Sequence, residues 1–324
     1  MLFYHKLYII KYNLCIQSAK RYKAYRKGIF MEQVTEKAYA KINLGLDVLR
    51  KRADGYHEVR MVMQSIGLCD ELHIQKAEQG ILIKTDAQEI PTGERNLIYK
   101  AARLVMEEYP ISGGIVVQLK KRIPVAAGLA GGSTDAAAAI RGMNRLFELG
   151  MDTQAMCRLG ARIGADVPYC ILGGTALAEG IGEQLTPLPD APGAIVLLAK
   201  PDFGVSTAEV YGKLQADRLK VHPDIDGMTR AVLKNDLSGI TERMGNVLET
   251  VTIPAYPKIE QIKTFMKEHG ATEALMSGSG PTVFGIYTDQ KKAAAAYLEM
   301  KKTDLAGKLV LTTFVAGGKG PDAG

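Results

Sequence analysis

The feature that most constrains the fold is a glycine-rich segment, residues 124–137, that separates a strand-like stretch from a helical pattern. After the glycines, apolar residues recur at helical spacing as far as Leu149, with Ser133 as the expected cap and Gly150 as the expected end. Free N–H groups and the positive end of the helix dipole bind phosphate at such a helix start. The segment therefore predicts a strand, loop and helix that bind phosphate. A tight turn packed with small residues remains the alternative.

Spacing excludes two common phosphate-binding loops. The chain contains neither the Walker A pattern G-x-x-x-x-G-K-[ST] nor the dinucleotide pattern G-x-G-x-x-G. Asp135 lies in the expected first turn of the helix, where a carboxylate would compete with a bound anion for the dipole.

Upstream, residues 38–49 alternate between apolar and polar or small side chains, which is the period of a β-strand. One face is apolar (Ile42, Leu44, Leu46, Val48) and the other is polar or small (Lys41, Asn43, Gly45, Asp47). Asp54-Gly55 has turn chemistry, and Val59–Leu68 is strand-like, so this region predicts a hairpin with a half-buried first strand.

The rest of the chain predicts two lobes of mixed α and β structure. A helix should begin at the cap Asn96 and end before Pro110, and another should follow Asp152. Residues 182–193 gather Gly, Pro and Asp, which marks a domain boundary. Beyond them we expect strands at 194–200, 273–277, 281–288 and 308–315, helices at 206–216, 257–269 and 290–302, and one helical stretch over 228–249.

Composition excludes several classes. A chain of 324 residues with 47% hydrophobic and 23% charged residues is globular, of about two domains. The four cysteines form no C-x-x-C pair, which favours a reducing cytoplasm. No stretch approaches the roughly 18 to 20 apolar residues of a membrane span, so we expect no membrane partner.

Positive charge is concentrated in residues 1–30, which hold seven of the 41 Lys and Arg residues and no Asp or Glu. The remainder, with 34 basic against 35 acidic residues, is nearly neutral, so we expect no nucleic-acid partner. The apolar residues of this segment show neither helical nor alternating spacing. Met31 stands where a more typical start of the protein would be. We expect residues 1–30 to be an upstream-start artefact; a polyanion-binding arm or a passive tail are the alternatives.

Three segments in order resemble the three motifs of the GHMP kinases, a family named for galactokinase, homoserine kinase, mevalonate kinase and phosphomevalonate kinase. They are Ala40–Leu44, Pro124–Ala137 and Met276–Phe284. The resemblance implies an α+β, two-domain GHMP kinase fold, with a ribosomal-protein-S5-like N-terminal lobe and a ferredoxin-like C-terminal lobe. It implies an ATP-binding and catalytic domain at 31–185, a C-terminal domain at 186–318 and a tail at 319–324.

Two further segments, Arg52–His57 and Gly164–Pro168, narrow the resemblance to the branch that acts on methylerythritol linked to cytidine diphosphate. The implied activity is ATP-dependent phosphorylation of the 2-hydroxyl of that small molecule, in the non-mevalonate route to isoprenoids and other terpenoids. The chain departs from many relatives at Ala126 and Ala127, where glycine is usual, which puts a positive φ there in doubt. Thr134 replaces the usual Ser and keeps the hydroxyl.

The resemblance also assigns roles. Asp166 would be the catalytic base and Lys41 its partner near the transferred phosphate. The expected ATP loop is Pro124, Val125, Ala126, Ala127, Gly128, Leu129, Ala130, Gly131, Gly132, Ser133 and Thr134. The expected substrate residues are Asn43, Tyr56 and His57, with weaker candidates at Tyr211, Ser277, Gly278, Ser279 and Gly280. Tyr56 would stack on cytosine and His57 would hydrogen-bond the base. Mg²⁺ should accompany ATP, with its protein ligand unknown, and we expect a monomer or weak homodimer.

Each role has a structural alternative. Lys41 alone would be an exposed strand lysine, Asp166 a helix-end aspartate, Tyr56 and Tyr211 packing residues, and 277–281 a plain hairpin connection. Two other functions also stay open. A homoserine or mevalonate kinase is disfavoured by the Gly55–His57 and Gly164–Pro168 segments, and a nucleic-acid-binding protein is disfavoured by the neutral body.

Overall fold

The computed structural model describes residues 32–317, so the expectations for residues 1–30 and 319–324 lie outside it. Within the described residues the chain forms two β-sheets. The strands of the first sheet are β1 (Gln33–Lys51), β2 (His57–Ala77), β3 (Ile81–Thr85), β4 (Gly114–Lys120), β5 (Thr175–Glu179), β6 (Gln184–Pro187) and β8 (Gly245–Asn246). They are arranged in the order β3-β4-β2-β1-β8, with β5 paired to β2 and β6 paired to β5.

The second sheet is antiparallel in the order β11-β7-β10-β9. It is built from β7 (Ile195–Lys200), β9 (Glu273–Met276), β10 (Val283–Tyr287) and β11 (Lys308–Thr313). The change from the first sheet to the second falls between Pro187 and Ile195, which overlaps the predicted boundary stretch. A division between residues 185 and 186 would cut β6, which belongs to the first sheet.

The helices are α1 (Leu97–Glu108), α2 (Gly131–Leu146), α3 (Thr153–Ala161), α4 (Val167–Leu172), α5 (Thr207–Lys213), α6 (Ile225–Leu233), α7 (Leu237–Thr241), α8 (Glu249–Ala255), α9 (Lys258–Glu268) and α10 (Gln290–Met300), with one 3₁₀ turn at Ala216–Arg218. The side chains of Asn96, Asp152 and Ser206 accept hydrogen bonds from backbone N–H groups in the first turns of α1, α3 and α5. These three caps confirm the predicted helix starts. No helix of residues 32–317 is both long and apolar enough to cross a membrane.

Strand β1 differs from its prediction because its register on β2 shifts between Tyr39 and Lys41 and again between Asn43 and Gly45. Ile42 and Leu44 consequently pack in one buried cluster, whereas Leu46 and Val48 pack in another. The expectation of one continuous apolar face is therefore wrong, since a bulge redirects the side chains that follow it. The second face is not half-exposed either: Lys41, Asn43 and Asp47 are all buried.

Helix α2 begins two residues before its predicted cap. Ala130 adopts a left-handed conformation with φ of 57°, and the helix starts at Gly131 without a side-chain cap. The prediction that Ser133 caps this helix is wrong, because the left-handed residue already turns the chain into the helix. The helix ends at Leu146 rather than Leu149, and Glu148 and Gly150 follow with positive φ.

The single helical stretch predicted for 228–249 is also wrong. A left-handed Asn235 and the cap Asp236 end α6 and start α7, after which the chain forms β8 and then α8. Strand β8 pairs in parallel with Gly45 and Leu46 of β1. Ile42 of the first sheet and Phe284 of the second belong to one buried cluster, so the two sheets share a core.

Candidate active site

A cleft of about 980 Å³ gathers most of the predicted site residues. Its walls come from β1, the turn before β2, the glycine-rich loop, the start of α4, α5 and the connection between β9 and β10. The predicted residues that line it are Lys41, Asn43, Tyr56, His57, residues 124–133, Asp166, Tyr211, Gly278 and Ser279. Thr134, Ser277 and Gly280 lie outside this lining.

Lys41 and Asp166 meet in the cleft. The Lys41 Nζ lies 4.0 Å from Asp166 Oδ2 and donates to Asn43 Oδ1 at 2.8 Å. Lys41 and Asn43 point into the cleft from the part of β1 between the first two of its three register shifts on β2, and bulges of this kind commonly redirect side chains next to active sites. Asn43 is held in turn by a contact from its Nδ2 to Met61 Sδ at 3.1 Å.

Asp166 precedes α4, but its carboxylate caps no backbone N–H group. Pro168 suits the first turn of α4 because proline needs no partner for a missing N–H there. With its side chain 35% exposed, Asp166 presents a carboxylate to the cleft beside an ammonium group. Such a pair can take a proton from a hydroxyl and stabilise negative charge that develops next to it.

The glycine-rich loop is strained and closely packed. Ala126 has a positive φ of 50° although it stands where many relatives have glycine. Ala127 does not have a positive φ, so only at Ala127 is the positive φ lost. Left-handed alanine costs about 1–2 kcal/mol, and such strain is common at ligand-binding loops. The backbone N–H of Lys41 donates to the Leu129 carbonyl at 3.3 Å and joins the loop to β1.

Two of the predicted ligand residues use their hydroxyls within the protein. The Thr134 hydroxyl donates to the Tyr39 carbonyl at 2.7 Å, and the Ser277 hydroxyl donates to the Gly128 carbonyl at 2.9 Å. Both side chains are buried, so these hydroxyls position the loop, and a direct contact of either residue with a ligand stays a prediction. Gly280, with φ of 86°, shapes the turn behind them.

A buried charge cluster lies beneath the loop and was missed from the sequence. Lys121 Nζ contacts Asp70 Oδ2 and lies 2.7 Å from Asp135 Oδ2, while Asp135 Oδ1 has no hydrogen-bond partner. Burial raises the pKa of the Asp135 carboxyl well above its usual value, and the charge of Lys121 opposes that rise. The Lys121 ammonium faces this carboxyl, and its positive charge weakens the expected competition between Asp135 and a bound anion.

At one end of the cleft two aromatic rings meet. The His57 and Tyr211 ring centroids are 5.2 Å apart and tilted by 45°, and His57 Nε2 is buried without a partner. Burial, together with the charge of Lys51, lowers the pKa of His57, which favours the neutral form of the ring. Tyr56 beside them is 60% exposed.

Another part of the cleft lining consists of residues that the sequence did not identify as site residues: Glu89, Ile90, Pro91, Arg95, Asn96 and Leu97. Asn96 holds this wall, since its Nδ2 donates to the Pro91 carbonyl at 2.6 Å while its Oδ1 caps α1. The cap was recognisable from the sequence, but the return of the preceding loop to the cleft depends on tertiary contacts. Residues 32–317 contain no cluster of three or more His, Cys, Asp or Glu side chains able to hold a metal ion.

Known proteins share this architecture. Residues 96–174 match the GHMP kinases N terminal domain, and residues 228–304 match the GHMP kinases C terminal. A crystal structure of 4-(cytidine 5'-diphospho)-2C-methyl-D-erythritol kinase is 30% identical with a TM-score of 0.75, covering 88% of this chain and 100% of that one. A homoserine kinase from Cytophaga hutchinsonii, 21% identical with a TM-score of 0.72 over 89% of this chain and 96% of that one, shows the same fold.

Curated relatives are more similar in sequence. A 4-diphosphocytidyl-2-C-methyl-D-erythritol kinase from Lachnospira eligens is 53% identical over 87% of this chain and 98% of the relative. One from Lachnoclostridium phytofermentans is 50% identical over 88% and 98%. At this identity and coverage, the chain belongs to the 4-diphosphocytidyl-2-C-methyl-D-erythritol kinases of the GHMP kinase family.

Proposed function

We propose that this kinase transfers the γ-phosphoryl group of ATP to the 2-hydroxyl of 4-diphosphocytidyl-2-C-methyl-D-erythritol, in the non-mevalonate route to isoprenoids. The observation that carries the proposal is the position of Lys41 and Asp166. The two residues meet in a cleft that has the glycine-rich loop on one side and the His57–Tyr211 pair on another. That arrangement suits a triphosphate donor at the loop and an acceptor whose aromatic base lies at the His57–Tyr211 pair, with the reacting groups meeting at Lys41 and Asp166.

The chemical step needs little covalent help from the protein. The Asp166 carboxylate takes the proton of the 2-hydroxyl while the hydroxyl oxygen forms a bond to the γ-phosphorus. The bond between the γ-phosphorus and the β–γ bridging oxygen breaks at the same time, and ADP is released. The Lys41 ammonium stabilises charge on the transferring group. Lys41 is already oriented by Asn43, so the reaction does not have to order it.

The cytidine end rests on His57. A buried nitrogen without a partner costs about 1–3 kcal/mol, and the polar edge of cytosine would satisfy it. Tyr56 is exposed enough to stack on the base, and Tyr211 lies against His57. The triphosphate would lie along residues 124–133, with adenosine towards the wall at 89–97.

Magnesium would enter with the triphosphate, whose charge it neutralises. Asp135 is occupied by Lys121, and Asp166 serves as the base, whereas Ser133 brings a hydroxyl oxygen of the loop to the cleft. Ser133 is therefore our candidate for a protein ligand of the metal ion.

We further propose that the enzyme acts in the cytoplasm as a monomer or weak homodimer, with an N-terminal ATP-binding domain whose boundary lies after β6 rather than at residue 185. Cys69, Cys157 and Cys170 are free thiols, in keeping with a reducing compartment.

The test is a coupled assay of ADP release with 4-diphosphocytidyl-2-C-methyl-D-erythritol, homoserine and mevalonate as competing acceptors. We expect turnover with the cytidine compound alone. Equal or greater turnover with homoserine or mevalonate would overturn the proposed acceptor, and the uridine analogue should be a poor substrate because it leaves the polar groups of the base site unpaired.

A further inference from the structure

Asn246 links two parts of the site without lining the cleft. It is buried, and its Nδ2 donates to the carbonyls of Met276 and Gly278, both at 2.8 Å, while its Oδ1 accepts from the Leu248 N–H at 3.0 Å. One side chain therefore satisfies three backbone groups. Two of them, the carbonyls of Met276 and Gly278, belong to the end of β9 and to the connection between β9 and β10.

The same residue is fixed to β1. Asn246 lies opposite Leu46 in the parallel β1–β8 pair, and the Val247 N–H donates to the Leu46 carbonyl at 3.1 Å. Five residues earlier on β1 is Lys41. The β9–β10 connection is thus held at a set distance from the strand that carries the lysine.

The connection in turn holds the glycine-rich loop. Ser277 donates to the Gly128 carbonyl, and the neighbouring Leu129 carbonyl accepts from the backbone of Lys41. Strand β1, Asn246, residues 276–278 and residues 128–129 therefore form a closed ring of hydrogen bonds. A closed ring fixes the separation of its members more firmly than either link alone.

We propose that Asn246 is a positioning residue for phosphoryl transfer, which sets the glycine-rich loop in register with Lys41. The proposal rests on the proposed function, because it assumes that this loop holds the phosphates of ATP. Displacing a reacting group by about 1 Å can cost about 100-fold in rate, so a residue that touches neither substrate can still control turnover.

Asparagine is required by the chemistry of the contacts. Two carbonyls face one Nδ2 group, and an aspartate would place an oxygen against both of them while keeping the acceptor for Leu248. Asn246→Asp is therefore close in shape, but it replaces the two donors with a buried carboxylate oxygen that repels both carbonyls. We expect the dissociation constant of a non-hydrolysable ATP analogue to rise about tenfold and kcat to fall about tenfold, with the KM of the cytidine substrate within about twofold of wild type.

Asn144 provides a matched control. Its Nδ2 donates to the Met151 carbonyl and its Oδ1 accepts from the Met151 N–H, both at 2.9 Å, at the far end of α2. Asn144→Asp makes the same chemical change in α2, where the lost donor served one backbone carbonyl and the residue does not line the cleft. It should lower the melting temperature without changing the ATP-analogue affinity or kcat.

Calorimetric titration measures the dissociation constant of the ATP analogue, and steady-state kinetics measure kcat and KM. Both are done on the full chain, below the melting temperature of each variant. Wild-type analogue affinity and kcat in Asn246→Asp would overturn the proposal, as would equal weakening of both substrates. Ser277→Ala should give the same selective loss, and the double variant should lose little more than either single variant because both act through one ring. A wild-type enzyme that binds the analogue but does not phosphorylate the cytidine compound would instead refute the proposed function.

Discussion

Gly128 is the position where the site depends most directly on the absence of a side chain. Its φ is +73°, and a methyl group there would overlap the carbonyl oxygen of Ser277 and lie 3.1 Å from that of Gly280. Both obstacles are backbone atoms, which cannot rotate away. We predict that Gly128→Ala separates the glycine-rich loop from the β9–β10 connection.

The expected cost has two parts. Left-handed alanine is less stable than glycine by about 1–2 kcal/mol, and loss of the Ser277–Gly128 hydrogen bond adds about 0.5–1.5 kcal/mol, so the free energy of unfolding should fall by roughly 1.5–3.5 kcal/mol. Relieving the overlap requires a shift of about 1 Å, for which kcat/KM for ATP should fall about 100-fold.

Gly132→Ala is the control within the same loop. Gly132 has no positive φ, and an added methyl group would meet only the Leu97 side chain, at 3.4 Å. Since Gly132 lies inside α2, alanine should raise stability by up to about 1 kcal/mol, even where it weakens ATP binding. Urea unfolding and steady-state kinetics of both variants provide the measurements. If Gly128→Ala has the stability and the kcat/KM of the wild type, the close contact between residue 128 and the Ser277 carbonyl is refuted, and the predicted losses with it.

Four other variants test the remaining assignments. Asp166→Asn should lower turnover by about 10² to 10⁴ while calorimetry shows unchanged ATP affinity, and near-normal turnover would remove Asp166 from its role as base. Lys41→Met should cost a comparable factor in kcat; a loss confined to KM would make it a binding residue only. Tyr56→Ala should weaken cytidine-substrate binding by about 1–3 kcal/mol with ATP affinity unchanged, and an unaltered titration would place Tyr56 outside the site. Asp135→Asn should gain stability over wild type as pH rises from the ordinary carboxyl value of 3.8, because a raised pKa means that ionising Asp135 destabilises the fold; a difference in melting temperature that stays constant between about pH 4 and pH 9 would contradict this.

Local chemistry was enough to predict several elements. The caps at Asn96, Asp152 and Ser206 depend on a side chain and a backbone group two or three residues away, so sequence alone could place them. The motif resemblance likewise selected Lys41 and Asp166, which the structure brings to 4.0 Å.

Features that depend on distant partners were not predictable in the same way. The register shifts of β1 are invisible in an alternating sequence, because apolar residues fit on either side of a sheet that is covered on both faces. Asp70 and Lys121 are 51 residues apart and have no local signature as a pair. The family resemblance implied ligand roles for Thr134 and Ser277, but only the fold shows that their hydroxyls already donate to backbone carbonyls.

The shared core has a consequence for biosynthesis. Ile42 and Leu44 of the first sheet are buried in the same cluster as Met228 and Phe284, which are translated roughly 180 to 240 residues later. At about 5–20 residues per second, that part of the sheet waits for on the order of 10 to 50 seconds before its covering residues are made. A nascent chain stalled within this interval should therefore expose an apolar sheet face that chaperones recognise, and should aggregate more readily than the finished enzyme.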